Sequence, residues 1–183
     1  MNKTAIGVVE LSSVAAGFAV VDAMLKAANV EPLVFRTICS GKYLAMIGGD
    51  VADVRAAVAT GVNTGQTAVI DSSVLSNIHP DIFSAIAGNQ VMEMRDALGI
   101  IESFSVAALV EAADVAIKAA DVRIVELRLA MALGGKAFVS LTGNVASVEA
   151  AVAAGAALVE ERGLLVNKVV IPRPRPELLN EII

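Results

Sequence analysis

The sequence predicts two tandem units of the α/β class (α+β, ferredoxin-like), one following the other along the chain. Three observations predict this. The chain repeats itself: Ala5-Ile6-Gly7-Val8-Val9-Glu10 returns as Ala97-Leu98-Gly99-Ile100-Ile101-Glu102. Ser13-Val14-Ala15-Ala16 returns as Ser105-Val106-Ala107-Ala108, Asp22 as Asp114, and Lys26-Ala27-Ala28 as Lys118-Ala119-Ala120. One supersecondary unit has therefore been duplicated. Within a copy, short β-branched runs alternate with Ala-rich stretches of helical length. The 183 residues suit two units of about 90.

The elements of the first copy follow in order. Ile6 to Glu10 is short and apolar, which predicts a buried strand. Ser12 or Ser13 offers an N-cap for a helix running to about Ala28. Val30–Ile38 and Tyr43–Gly49 are predicted strands joined at Cys39-Ser40-Gly41-Lys42, where Gly41 supplies the turn. A second Ala-rich helix starts at Val51 and is expected to end near Gly61 as its C′ residue. Ala68–Leu75 returns as a fourth strand. Strand–helix–strand–strand–helix–strand is the split βαβ arrangement. The offset between copies is 92 up to about residue 36. It is 94 from Gly41-Lys42 against Gly135-Lys136, so the second copy gains two residues before its Gly-Lys. The polar stretch Gln90 to Asp96 joins the copies, dividing the chain at 1–92 and 93–183.

Composition narrows the function classes. The chain is 56% hydrophobic and 18% charged with a mean hydropathy of +0.72, which excludes disorder. Its longest uncharged run, Ala56 to Ile70, falls short of the roughly 18 residues a spanning helix needs. The run is also broken by Gly61, Asn63, Gly65 and Gln66. Met1-Asn2-Lys3-Thr4 does not open a signal peptide, so a soluble cytosolic chain with no membrane partner is expected. A soluble chain this apolar is expected to hide surface against other subunits. A net charge of −5 and a pI near 4.9 argue against nucleic acid. The single Cys forms no internal disulfide and suits a reducing compartment. With one His, no Ser-His-Asp or Cys-x-x-Cys arrangement, and the Gly48-Gly49 and Gly134-Gly135 pairs out of any phosphate-binding frame, the chain is not expected to be an enzyme.

The duplicated openings, the segment Asp22-Ala23-Met24-Leu25-Lys26-Ala27-Ala28, the Gly-Lys turns and Val170-Ile171-Pro172-Arg173-Pro174 together resemble bacterial microcompartment shell domains. The resemblance covers nearly the whole chain, twice, without permutation. The tandem length, Thr37-Ile38-Cys39-Ser40-Gly41-Lys42 and Ser76-Asn77-Ile78-His79-Pro80 resemble a trimeric subgroup of that family. It implies a homotrimer whose six domains form a pseudohexameric tile in a microcompartment shell within the cytoplasm, alongside other shell proteins. The tile's central pore would be lined by Ser40, Gly41 and Lys42 from one copy and Met131, Ala132, Leu133 and Gly134 from the other. In the subgroup one Cys from each chain holds a single [4Fe–4S] cluster per trimer, which assigns Cys39 as the metal ligand here. An encapsulated or cytosolic redox partner would follow. The sequence departs from the pattern at Ser40, where a Pro is common.

The repeat is an internal control, because a residue present in both copies is most simply explained by the fold. Lys42 and Lys136 recur, which suits a scaffold role. Cys39 does not recur, since the second copy reads Ala130-Met131-Ala132-Leu133-Gly134 there. A lone Cys is ordinarily a small buried hydrophobe, but its place in a Ser-Gly turn and the family loop favour a ligand. A cluster asks for four ligands, so one Cys per chain suffices only if symmetry gathers three. Three thiolates on a dipositive cluster sum to about −1, which nearby Lys42 ammonium groups would offset. Lys26 and Lys118 recur near a helix C-terminus, where a cation suits the dipole; the family places this Lys at the tile edge, with Arg173 as a further edge contact. His79 aligns with Arg175 and precedes Pro80, so it is read as a turn residue rather than a metal ligand. Three functions stay open: a shell tile with a cluster for electron or cluster transfer, a tile whose pore passes a metabolite, and a free-standing effector-binding regulator.

Overall fold

The computed structural model describes residues 4–89, 95–131 and 133–179. The chain divides into two compact units, Met1–Ile78 with Met131–Gly135, and His79–Ala130 with Lys136–Ile183. The expected boundary at 92/93 and most of the Gln90–Asp96 joint lie outside the described residues.

In the first unit β1 (Ala5–Leu11) is followed by α1 (Val14–Ala27), β2 (Glu31–Ile38), β3 (Lys42–Gly49), α2 (Val51–Gly65) and β4 (Val69–Ser76). In the second, α3 (Pro80–Ile86) precedes β5 (Ala97–Ser103), α4 (Val106–Ala119), β6 (Val122–Arg128), β7 (Ala137–Gly143), α5 (Val145–Glu161), β8 (Leu165–Pro172) and α6 (Pro176–Leu179). The sheet orders are β2-β3-β1-β4 and β6-β7-β5-β8, the arrangement the alternating periods predict. Every strand pairing is antiparallel. Central β1 is buried along its whole length, its apolar residues together with the carboxyl-bearing Glu10.

Local chemistry sets the helix starts. Ser13 accepts from the Ala16 N–H at 3.3 Å, and Ser105 from the Ala108 N–H at 3.2 Å, so the duplicated serines are duplicated N-caps. Asn144 caps α5 through the Ser147 N–H at 2.8 Å. The expected stop at Gly61 is wrong: α2 runs on to Gly65, with Gly61 buried in its interior. A Cβ at Gly61 would lie 2.8 Å from Met24 Cγ on α1. The aligned Gly155 on α5 would put one 2.7 Å from the Ala112 carbonyl of α4. These glycines let two helices close on one another, so the residue read as punctuation is a packing device.

Candidate functional site

The two hairpins of the repeat differ at their tips. In the first, β2 and β3 pair down to Ile38↔Lys42, leaving only Cys39, Ser40 and Gly41 to turn the chain. Ile38 and Tyr43 are buried beneath the tip, Cys39 is half-buried, and Ser40 and Gly41 are exposed. Both Ser40 (φ 63°) and Gly41 (φ 72°) are left-handed. Gly adopts this without penalty, whereas Ser spends about 1 kcal/mol on it. A Pro, locked near φ −65°, cannot take the Ser40 conformation, so this loop turns in a way the commoner family residue forbids.

In the second hairpin pairing stops at Arg128↔Phe138, and the longer link carries the two extra residues the alignment requires. Ala130 (φ 55°), Gly134 (φ 62°) and Gly135 (φ 88°) curl it. Its stretch Met131–Gly135 packs as part of the first unit. There the Leu133 backbone N–H donates to Cys39 Sγ at 3.3 Å. Within that unit Gly135 lies beside Ser40, with 3.9 Å separating a built Cβ from the Ser40 Oγ. Cys39, Ser40, Gly41, Leu133 and Gly134 thus belong to one turn cluster with Lys42 at its base and Met131 exposed at its margin. Ala132 lies outside the described residues.

A donated N–H favours the thiolate over the thiol and tunes a ligating sulfur. Cys39 is thus half-buried with a backbone donor on its sulfur, an arrangement a ligating thiolate can use. One chain provides one such sulfur. Among the described residues, no three His, Cys, Asp or Glu side chains come together to hold a metal. The donor set fits a [4Fe–4S] cluster only where copies of the turn converge.

The expected edge residues lie on other elements. Lys26, near the end of α1, is exposed and pairs with Asp22 at 2.6 Å. Lys118 on α4 makes the aligned pair with Asp114 at 2.5 Å, but in half-buried surroundings. Asp114 also accepts the His79 backbone N–H at 2.8 Å. Arg173, at φ 47°, follows β8, and its N–H reaches the Asp96 carbonyl at 2.6 Å. Lys136 pairs with Glu102 on β5 at 2.8 Å, a scaffold contact. His79 is the N-cap of α3: its Nδ1 accepts the Asp81 N–H at 3.3 Å. The sequence reading missed α3, although His79-Pro80-Asp81 holds its signals: a cap, Pro at the first position, and an acid in the first turn.

Comparison with known proteins accounts for the duplication. The BMC domain family pattern matches residues 5–78 and again 97–174. The chain is 45% identical over 179 residues to the bacterial microcompartment shell protein PduT of Citrobacter freundii, covering 98% of this chain and 97% of that protein. It is 42% identical over 83 residues to the shell protein EutM of Escherichia coli, covering 45% of this chain and 84% of that one. The crystal structure of a microcompartment protein from Desulfitobacterium hafniense superimposes with a TM-score of 0.90 at 49% identity, covering 96% of this chain and 98% of that chain. No helix among the described residues is long and apolar enough to cross a membrane.

Proposed function

Because this chain belongs to the BMC domain family and is a structural microcompartment shell protein, we propose that three copies close into one pseudohexameric tile whose centre gathers three Cys39 thiolates around one [4Fe–4S] cluster. The observation that carries the reading is the Leu133 N–H donated to Cys39 Sγ at 3.3 Å, on a turn that only the first copy possesses. In this reading Cys39 ligates, the Leu133 amide fixes the sulfur and stabilises its anionic form, and the left-handed Ser40–Gly41 step keeps the tip short. Lys42 at the base of the tip offsets the negative charge that three thiolates bring. A bound cluster supplies one-electron redox chemistry with a fourth iron left without a protein ligand, suited to electron relay or cluster transfer across the shell. The partners implied are other shell proteins, met at tile edges through Lys26, Lys118 and Arg173, and an encapsulated or cytosolic redox protein.

The test is anaerobic purification followed by iron and sulfide analysis and visible absorption. One cluster per three chains is expected, with its loss in Cys39→Ala while the assembly persists, because the second copy folds without a Cys at its turn. An iron-free wild-type protein, or a Cys39→Ala protein that keeps its iron, overturns the cluster and leaves a tile with an open, metabolite-conducting centre.

A further inference from the structure

The two copies end alike, and among the described residues only the first ending is seated. After β4 the chain reads Asn77-Ile78-His79-Pro80-Asp81-Ile82; after β8 it reads Arg173-Pro174-Arg175-Pro176-Glu177-Leu178. Asn77 (φ 55°) and Arg173 (φ 47°) make the same left-handed step. Pro80 and Pro176 then open short helices, each with an acid in its first turn. The first ending, α3, packs on α4 and β6 of the second unit. Ile82 is fully buried, and the His79 N–H donates to Asp114, whose side chain is only 11% exposed.

The receptor for the second ending also exists in duplicate. α1 repeats α4 with Asp22 and Lys26 in place of Asp114 and Lys118, yet here the aspartate side chain is 63% exposed. Phe18 is 65% exposed where the aligned Val110 is 0%, and exposed Leu25 aligns with buried Ile117. On the ligand side, Leu178 aligns with Ile82 and is 41% exposed. Among the described residues, an apolar anchor and a matching apolar face with its acceptor are thus both left uncovered. The pattern of the first ending is to seat on the unit that comes next. A second copy of this chain presents such a unit, and its α1 carries the matching exposed groups Phe18, Asp22 and Leu25.

We infer that α6 of one copy docks on α1 and β2 of a second copy of this chain, with Leu178 seated over the Phe18 face and the Arg175 backbone N–H donating to Asp22. Arg175 keeps its N–H although prolines flank it, which the contact requires. The contact is head-to-tail, so its repetition builds a ring where the rotation closes, as the trimeric tile requires. It rests on the trimeric tile and deepens it by naming the latch between subunits.

The test uses the full chain. Wild-type protein and Leu178→Asp are compared by sedimentation velocity. Wild type is expected at three times 18.7 kDa, and Leu178→Asp is expected to associate about thirtyfold more weakly or worse, as for loss of a buried interface anchor. A second arm co-purifies Asp22→Cys with Arg175→Cys, both in a Cys39→Ala background, and applies a short bis-maleimide. A covalent 22–175 pair forming only in the mixed sample supports the latch even where Leu178→Asp folds poorly. A wild-type trimer with no such cross-link and an undiminished Leu178→Asp trimer overturns the latch and leaves the tile standing. A monomeric wild type overturns the tile and the latch together.

Discussion

The same volume is packed in opposite ways in the two copies. In the first, Gly17 on α1 faces Tyr43 on β3, so closely that a Cβ on Gly17 would lie 2.3 Å from Tyr43 Cγ. In the second, the aligned positions hold Leu109 on α4 and Ala137 on β7, both fully buried. Large and small have changed layers. A close-packed interior fixes the sum of volumes across a helix–sheet contact more tightly than it fixes which layer supplies the bulk. The choice in the first copy puts an aromatic ring next to the turn that carries Cys39, and that ring also meets Phe18 with centroids 5.4 Å apart.

The comparison predicts a rescue. Gly17→Leu alone has no room and is expected to cost about 3 kcal/mol or more, and Tyr43→Ala alone about 3–5 kcal/mol through the void it leaves. Together they rebuild the second copy's arrangement, so the double variant is expected to recover about 2 kcal/mol or more relative to the sum. Urea midpoints at fixed protein concentration measure this. Additive losses would show that the layers are not exchanging volume.

A smaller difference separates the two helix glycines. Gly155→Ala pushes a methyl into the Ala112 backbone carbonyl, so a net loss of about 2 kcal/mol is expected after the gain of about 1 kcal/mol in helix propensity. Gly61→Ala meets the flexible Met24 side chain, which can yield, and should fall within about 1 kcal/mol of wild type. Equal losses in thermal unfolding would contradict this reading of the contacts.

The smallest contrast is between the two lysines. Lys26→Ala removes an exposed pair and should change stability by less than about 0.5 kcal/mol. Lys118→Ala leaves a mostly buried Asp114 without its cation, for an expected cost of about 1 kcal/mol or more. Under the proposed tiling, Lys118→Asp is also expected to weaken edge-to-edge sheets under the electron microscope more than it affects a single assembly.

Much of this architecture was legible in the sequence because duplication doubles every signal. Ser13 and Ser105 mark helix starts in register, and the two-residue offset locates the longer hairpin link. What was illegible depends on distant neighbours. Gly61 looks like a helix stop because local sequence cannot show that α1 closes onto that position. α3 is hard to read because it is only seven residues long, too short to show a helical period, and its start rests on three residues. The turn that holds Cys39 was found from its Ser-Gly chemistry and family loop. The Leu133 amide on its sulfur was not, since a backbone donor leaves no trace in residue identity.

Having both copies on one polypeptide has a consequence of its own for the Cys39 turn. If separate chains of a single kind were to form a ring, every position would carry a thiol, and if two kinds were to mix, the tally would follow their relative abundance. A covalent pair permits neither outcome. Each molecule brings one sulfur-bearing tip and one sulfur-free tip in fixed alternation, so a closed ring always holds half as many thiols as units. The peptide link between the copies is thereby a stoichiometric device, independent of expression level and of any recognition between loops.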